Sequence, residues 1–339
     1  MSDPAAKREP AFGAGLWLRG AGTLLTLALL VLLLREQGWD QIGAAVARIP
    51  VWRLWAALGI TLVSRCAVSL RWHILLRAVK VPVRLEQSLR ITFAGLFASN
   101  FLPTTIGGDV VRLAACVPLR LDTAASAASL VVDRLIGMAG MALALPVGLA
   151  RLAEVGLPAL TAPAALLPGR LLPALALGNT EDAPEADAST EADGGKARGW
   201  LGKAGRKVLG FGGRILASFA LWGRHPGGLL LALLATCVHQ ICLYTSIWLL
   251  FDGMGEPAGW LRIAGVWSLV YFITLLPVSI NGYGLQEVSV TLLYARLGGV
   301  SPEASVAAAL LLRTIQLAAS LPGAFFVPGI LAAARRRRA

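Results

Sequence analysis

The chain alternates long apolar stretches with short polar segments in which lysine and arginine predominate. A helix needs about 20 apolar residues to cross the hydrocarbon of a bilayer, and six stretches reach that length. They are Gly15–Leu34, Arg53–Trp72, Ala124–Leu149, Leu152–Leu177, Gly228–Phe251 and Glu303–Leu331. This pattern predicts an all-α polytopic membrane protein with about six full spans.

Two further apolar stretches, at about 89–117 and 261–297, are each interrupted by a proline and glycines. The first interruption reads Leu-Pro-Thr-Thr-Ile-Gly-Gly-Asp over 102–109, and the second reads Leu-Pro-Val-Ser-Ile-Asn-Gly-Tyr-Gly over 276–284. Proline lacks an amide hydrogen and glycine loosens the backbone, so both residues break a membrane helix. Such breaks are tolerated in a bilayer where they are buried in protein or line a cavity. We expect each broken stretch to form a re-entrant hairpin. The alternative is that both stretches cross the membrane fully, which would give eight spans.

The two broken stretches belong to a predicted inverted repeat. Pro103 and Pro277 lie 174 positions apart (277 − 103), and Arg134 and Arg313 lie 179 apart (313 − 134), so a five-residue loop difference aligns the halves. Basic residues that flank apolar runs predict cytoplasmic segments at both termini and after the second span. These residues are Lys7, Arg8, Arg19, Arg71, Arg77, Lys80, Arg84, Arg90 and Arg335 to Arg338. With six crossings the hairpins enter from opposite leaflets, an arrangement typical of transporters.

Composition narrows the class of protein further. Hydrophobic residues make up 56% of the 339 residues and charged residues only 15%, whereas soluble domains carry about 25% charged residues. The net charge of +12 does not indicate nucleic-acid binding, because the basic residues mostly flank apolar runs. Cys66, Cys116, Cys237 and Cys242 lie in apolar segments and predict small core residues rather than disulfides. The three histidines lack metal-ligand spacing, so we expect no bound metal. We likewise expect no cofactor and no nucleic-acid partner.

The pattern divides the chain into five segments. We expect a cytoplasmic tail over 1–14, a first membrane half over 15–177 and a second membrane half over 228–331. Between the halves, 178–227 is predicted to be a cytoplasmic linker that is acidic at first and then forms a basic interfacial helix. An ordinary basic juxtamembrane loop is the alternative, because six glycines between 199 and 213 weaken the helix. A basic cytoplasmic tail follows over 332–339. Trp52, Trp55, Trp72 and Trp260 are predicted to lie at the membrane interface.

The candidate site consists of the two breaks and the polar residues within the apolar segments. Charged side chains are costly inside a membrane and usually face a cavity or a partner. A half-helix that begins after Gly108 or Gly284 also directs its free amides and positive dipole end inward, which favours an anion. The candidate substrate-binding residues are Asn100, Pro103, Thr104, Thr105, Gly107, Gly108, Asp109, Arg112, Asp133, Arg134, Pro277, Ser279, Asn281, Gly282, Gly284, Glu287 and Arg313.

The charged candidates allow two interpretations. Asp109 and Glu287 each follow a break, so each either caps a half-helix or acts directly on a ligand. Arg134 and Arg313 lie well inside their predicted spans, and arginine binds phosphate through a planar, two-pronged geometry. The alternative is that they form internal ion pairs, for example Arg134 with Asp109 and Arg313 with Glu287. Arg65 is interpreted as an ordinary polar contact.

Several motifs recur together along the chain. They are Arg71-Trp72-His73-Ile74-Leu75-Leu76, Asn100-Phe101-Leu102-Pro103, Gly107-Gly108-Asp109 with Arg112, Asp133-Arg134, and Pro277 with Gly282, Gly284 and Glu287. In this combination the chain resembles the lysylphosphatidylglycerol synthase transmembrane-domain family of flippase-like integral membrane proteins. The resemblance implies a bacterial inner-membrane protein that translocates lipids or has a related lipid role. Bifunctional members of the family have a soluble aminoacyl-transferase domain after the membrane domain. We do not expect that domain here, so the resemblance does not imply synthase activity for this chain.

Three functions remain open at this point. The preferred one is a lipid flippase or transporter that moves a lipid with a phosphate-bearing or otherwise polar headgroup. The second is an intramembrane lipid-modifying transferase with Asp109 or Glu287 as the base, although the sequence offers no dedicated nucleophile. The third is a non-transporting membrane partner of lipid- or glycan-synthesis enzymes. We therefore expect membrane lipids as partners and no enzymatic activity.

Overall fold

A computed structural model describes residues 39–102, 107–155, 225–276 and 282–330, together with Leu24, Ala28, Val31 and Trp222. In these ranges the chain is helical and contains no β-strand. The helices are α1 (Trp39–Ala47), α2 (Val51–Ala78), α3 (Leu85–Ser99), α4 (Gly107–Cys116), α5 (Thr123–Val155), α6 (Pro226–Gly253), α7 (Trp260–Thr274), α8 (Leu285–Leu293) and α9 (Pro302–Ser320). A π-helical turn, Tyr294–Gly298, continues α8, and a 3₁₀ turn, Leu321–Phe325, follows α9.

Four of the described helices are long and apolar enough to cross a membrane. They are α2, α5, α6, and α9 with its 3₁₀ turn. A helix of 28 residues, such as α2, is about 42 Å long and exceeds the hydrocarbon thickness of about 30 Å. These helices match four predicted spans, so the prediction of an all-α polytopic membrane protein is confirmed. The number of spans stays a prediction, because Gly15–Leu34 and Leu152–Leu177 lie largely outside the described residues.

One predicted boundary is wrong. The predicted stretches Ala124–Leu149 and Leu152–Leu177 leave two residues between them, but α5 continues through these residues without a break to Val155. Arg151 lies on the exposed end of this helix and pairs with Glu154 at 2.6 Å. An exposed ion pair is compatible with a continuous helix, so Arg151 does not mark the end of α5.

Local sequence signals account for where the helices begin. The Asp122 carboxylate accepts the backbone N–H groups of Ala124 and Ala125 at 2.8 and 3.1 Å and so caps α5. The Ser301 hydroxyl caps α9 in the same way, with Pro302 in the first turn. These caps satisfy amide groups that have no partner within the helix.

The first broken stretch is a helical hairpin. Helices α3 and α4 pack antiparallel, and a Cβ atom on Gly108 would lie 2.7 Å from the carbonyl oxygen of Gly95. A Cβ atom on Gly95 would in turn lie 2.7 Å from Cγ of Arg112, so both positions need glycine for this close approach. The arms contain 15 and 10 residues and are about 22 and 15 Å long. Neither arm alone reaches across the hydrocarbon.

The second broken stretch folds back in the same manner. Tyr294 Oη donates to the carbonyl of Ile263 at 3.0 Å, and Arg262 Nη1 donates to the carbonyl of Gly298 at 3.4 Å. These bonds join the start of α7 to the π-helical turn after α8, so the two arms run antiparallel. Helix α7 has 15 residues and is about 22 Å long.

The two halves have opposite orientations. Helix α2, which precedes the first hairpin, crosses α6, which precedes the second, in antiparallel fashion. Arg53 near the start of α2 pairs with Asp252 near the end of α6. Arg71 near the end of α2 donates to Thr236 near the start of α6 at 3.3 Å. The helix–hairpin–helix units are therefore inverted relative to each other, as predicted.

A tight backbone contact is repeated in both halves. In one, α5 touches α7, where a Cβ atom on Gly148 would lie 2.3 Å from the carbonyl oxygen of Gly265. In the other, the 3₁₀ turn after α9 touches α3, where a Cβ atom on Gly323 would lie 2.0 Å from the carbonyl oxygen of Phe93. Each contact joins the last helix of one unit to the first hairpin arm of the other. Small residues allow membrane helices to approach this closely.

We expect Gly148→Ala to lower the free energy of unfolding by about 1–3 kcal/mol, the usual cost of overpacking. Thermal unfolding of the detergent-solubilised protein, followed by tryptophan fluorescence, measures this. Gly59→Ala is the control, because a Cβ atom on Gly59 has nothing within 4 Å and alanine favours a helix by about 0.5–1 kcal/mol. Equal unfolding temperatures for the two variants would contradict the tight contact between α5 and α7.

The surface of the spanning helices is apolar. Large hydrophobic side chains are exposed along α2, α5 and α6, which is typical of a lipid-facing surface. They include Val63, Leu70, Leu135, Leu143, Leu231, Leu234 and Ile241. Cys116 is buried as predicted, but Cys66 is exposed on α2, so its assignment to the core is wrong.

Candidate functional site

Described residues beside the two breaks contact each other. Asn100 follows α3 just before the first break, and Tyr283 lies at the end of the second break, just before α8. The Tyr283 hydroxyl donates to the backbone carbonyl of Asn100 at 2.8 Å. The Asn100 amide donates to the Ser320 hydroxyl at 2.9 Å. These bonds join both hairpins to the end of α9.

A polar chamber of about 170 Å³ lies where the hairpins meet. Its lining comes from α2, from both hairpins and from α9, and it is mainly polar. The lining residues are Arg65, Leu96, Ser99, Asn100, Gln286, Arg313, Gln316 and Ser320. Two of them are arginines and none is a carboxylate, so the chamber is suited to an anion.

An ion network holds the first hairpin against α2 and α5. Asp133 accepts hydrogen bonds from Arg71 Nε at 2.6 Å and from Arg112 Nη1 at 3.2 Å. Asp109 accepts from the same Arg112 nitrogen at 3.2 Å and from Arg134 Nε at 2.5 Å. Asp133 is only 3% exposed, whereas the Arg134 side chain is 40% exposed. The network thus runs from a buried centre to an open end at Arg134.

The Trp72 side chain packs against this network. The Arg112 guanidinium lies 4.3 Å from the centroid of the Trp72 ring, a cation–π geometry. The Trp72 indole N–H donates to the Ser129 hydroxyl at 3.0 Å. The prediction that Trp72 lies at the membrane interface is therefore wrong, because this side chain is completely buried. Arg71, predicted to belong to a cytoplasmic loop, is likewise buried inside α2.

A simpler ion pair holds the second hairpin. Arg313 Nε donates to Glu287 Oε1 at 2.5 Å, and the other carboxylate oxygen accepts the backbone N–H of Gly284 at 2.8 Å. Gly284 has a φ of +77°, a conformation that favours glycine. The Arg313 guanidinium also lies 4.4 Å from the centroid of the Tyr283 ring. Glu287 therefore caps α8 and pairs with α9 at the same time.

The same carboxylate–arginine pair occurs in both halves. Asp109 is the third residue of α4, and Glu287 is the third residue of α8. Arg134 follows Asp109 by 25 positions, and Arg313 follows Glu287 by 26. These are the two ion pairs that the sequence predicts as the alternative to phosphate contact. The remaining members of the first network, Arg71, Arg112 and Asp133, belong to the first half alone.

The sequence profile of a family described as lysylphosphatidylglycerol synthase TM region matches residues 20–323. The chain belongs to this family. The match includes both hairpins and all four described spanning helices. Comparison with curated proteins finds no match. Membership identifies a membrane-embedded, multi-pass protein connected with lipid handling.

Four of the predicted site residues at the breaks are glycines that the structure describes. Gly107 and Gly108 are buried at the start of α4, and Gly282 has a φ of +73°. Gly284 caps α8. The predicted site residues Pro103, Thr104, Thr105, Pro277, Ser279 and Asn281 lie outside the described residues, as does the predicted linker helix apart from Trp222.

Several chamber residues were not among the predicted site residues. They are Arg65, Ser99, Gln286, Gln316 and Ser320. Arg65 carried a usable signal, because a charged side chain near the middle of a membrane span indicates a functional position by default. Gln286 and Gln316 carried a weaker signal, as polar residues that could support the charged candidates within the apolar segments. The two serines carried none, since such residues commonly make hydrogen bonds between membrane helices.

Proposed function

We propose that this protein moves a lipid with a polar, phosphate-bearing headgroup between the leaflets of the bacterial inner membrane. The observation that carries the proposal is the meeting of two oppositely oriented hairpins at one polar chamber, joined through Tyr283 and Asn100. Broken helices in inverted repeats commonly form transporter binding sites. Membership in a family connected with lipid handling supports a lipid as the cargo.

In this proposal the headgroup enters the chamber while the acyl chains stay in the bilayer. The hairpin arms are shorter than the hydrocarbon thickness, so the chamber between their ends lies deep in the membrane. Each hairpin has its own carboxylate–arginine pair, and the two pairs differ in exposure. Glu287 is buried and Arg313 is half-buried, with side chains 5% and 15% exposed, whereas the Arg134 side chain is 40% exposed. We infer a conformation that is open beside the first hairpin and closed beside the second.

We also propose that the termini are cytoplasmic and that the protein is not an enzyme. The transferase alternative needs Asp109 or Glu287 as a base, but arginines already engage both carboxylates. The sequence has no phosphate-cradling P-loop motif that would indicate an ATPase motor.

The test is lipid transfer in liposomes that contain the purified protein. Fluorophore-labelled phospholipids and glycolipids in the inner leaflet become accessible to an added reductant only after transfer, so loss of fluorescence reports the rate. We expect transfer of at least one lipid class above that of protein-free liposomes. No transfer across the panel, with stoichiometric co-purification of a synthesis enzyme, would instead support a non-transporting partner.

We expect Arg134→Met to slow this transfer by at least about tenfold, equivalent to 1.4 kcal/mol, with little change in unfolding temperature. Arg134 is well exposed and lies at the open end of the first network, so it is positioned to contact an entering headgroup. Arg151→Met, at the exposed end of the same helix, is the matched control and should transfer lipid at the normal rate. Equal rates for the two variants would remove Arg134 from the proposed path.

A further inference from the structure

Arg65 is a half-buried charge without a counter-charge in the described part of the chain. Its Nε atom is buried and has no hydrogen-bond partner. No ion pair within 4.0 Å joins it to a carboxylate among the described residues, whereas Arg71 on the same helix is paired with Asp133. An unpaired charge in a low-dielectric interior is strongly unfavourable, so this position favours binding of an anion.

Arg313, which also lines the chamber, has a further donor without a hydrogen-bond partner. Its Nε atom pairs with Glu287 at 2.5 Å, but its Nη2 atom is buried and has no hydrogen-bond partner. Glu287 balances the charge of Arg313 and nothing described balances that of Arg65. The chamber therefore carries one net positive charge and at least two buried N–H donors without partners.

The rest of the lining completes a site for an oxyanion. The side-chain amides of Gln286 and Gln316 come from the second hairpin and from α9, and amides can donate hydrogen bonds to an anion. No carboxylate belongs to the lining. Guanidinium groups bind phosphate oxygens through charge-assisted hydrogen bonds, which are stronger than neutral ones.

We propose that a phosphate group binds in this chamber between Arg65 and Arg313. The single uncompensated charge matches a singly charged phosphodiester, and free inorganic phosphate has the same recognition chemistry. If the ligand is a lipid, this inference rests on the proposed function, because the chamber then binds the phosphate of the headgroup during transfer between the leaflets. The buried part of the ion network, at Asp133 and Arg112, then positions the first hairpin and does not contact this bound phosphate, whereas the exposed Arg134 contacts the headgroup as it enters.

The binding test uses the full-length protein in detergent and gluconate buffer. Inorganic phosphate and dihexanoyl phosphatidylglycerol, a short-chain phosphodiester, are titrated separately, and the unfolding temperature gives the apparent affinity. We expect stabilisation by the short-chain lipid, and an affinity at least about tenfold weaker in Arg65→Leu. Arg90→Leu is the control, because Arg90 lies outside the chamber and forms an exposed pair with Glu86.

A second variant adds to the chamber lining a side chain whose negative charge can balance that of Arg65. Gln316→Glu places a carboxylate in the chamber lining, so we expect a higher unfolding temperature without anion and no further increase when either probe is added. This test keeps both arginines and therefore remains informative if Arg65→Leu does not fold. A lower unfolding temperature with unchanged anion binding would overturn the inference.

The remaining outcomes separate this inference from the proposed function. Arg65-dependent binding of the short-chain lipid without lipid transfer in liposomes would support the phosphate site and reject transport. Binding of inorganic phosphate alone would support the site and identify a free anion as its ligand. Lipid transfer with no Arg65-dependent binding of either probe would overturn the phosphate site and leave transport standing.

Discussion

Asp133→Asn is expected to lower the free energy of unfolding by about 3–5 kcal/mol, the usual cost of leaving a buried charge without its partner. The Asp133 carboxylate is 3% exposed and joins Arg71 on α2 to Arg112 on α4. Asparagine keeps the shape but removes the negative charge, so two buried guanidinium groups lose their shared counter-ion. Arg112 also has two further buried nitrogens without hydrogen-bond partners, which leaves it little compensation.

Chemical or thermal unfolding in detergent measures this loss. Glu154→Gln is the matched control, because it removes the carboxylate of an exposed pair with Arg151 on the same helix. Exposed pairs contribute about 0–1 kcal/mol, so the control should unfold close to the parent protein. If Asp133→Asn and Glu154→Gln shift unfolding equally, the buried network does not hold the first hairpin in place.

Arg313→Met is expected to have the second large effect, also about 3–5 kcal/mol. Its removal leaves Glu287 with a buried charge, since the Glu287 side chain is 5% exposed. Methionine preserves much of the apolar stem, so most of the loss should arise from the unpaired carboxylate. Unfolding temperature and the yield of monodisperse protein report the effect.

The related pair in the other half gives a comparison within one protein. Arg134→Met removes the corresponding arginine, but Asp109 keeps Arg112 as a partner and is more exposed than Glu287. We expect a loss of no more than about 1 kcal/mol. Adding Glu287→Gln to Arg313→Met should recover most of the stability, because the amide can still accept the Gly284 N–H. A double variant as unstable as the single one would assign the effect to packing.

The difference in burial between Arg112 and Arg134 decides which of them can be used to test function by mutation. Arg112 lies at the centre of the buried network, so its removal is expected to impair folding as well as any transport. Arg134 lies at the exposed end, where loss of transport can be measured in a folded protein. The two arginines look alike in the sequence, since each lies within an apolar stretch, and only their contacts separate these roles.

The sequence by itself determined the membrane class, four helices long enough to span, the two Pro/Gly-broken stretches and the opposite orientation of the two halves, whereas re-entrance of the broken stretches stays a prediction. Span length and the Pro/Gly breaks are local properties, because hydrocarbon thickness and backbone hydrogen bonding act on each segment separately. It also suggested the pairs Asp109–Arg134 and Glu287–Arg313, since the repeat places similar charges at similar spacings.

Only the tertiary structure decided which polar residues face one another. The pairing of Arg71 with Asp133, the burial of Trp72 beneath Arg112, and the position of Arg65 in the chamber depend on how α2 packs against α4, α5 and α9. Such contacts join positions far apart in the chain, and the rotation of each helix about its axis sets them. The apolar residues of a membrane helix specify that rotation weakly, because lipid and protein interior are similarly apolar.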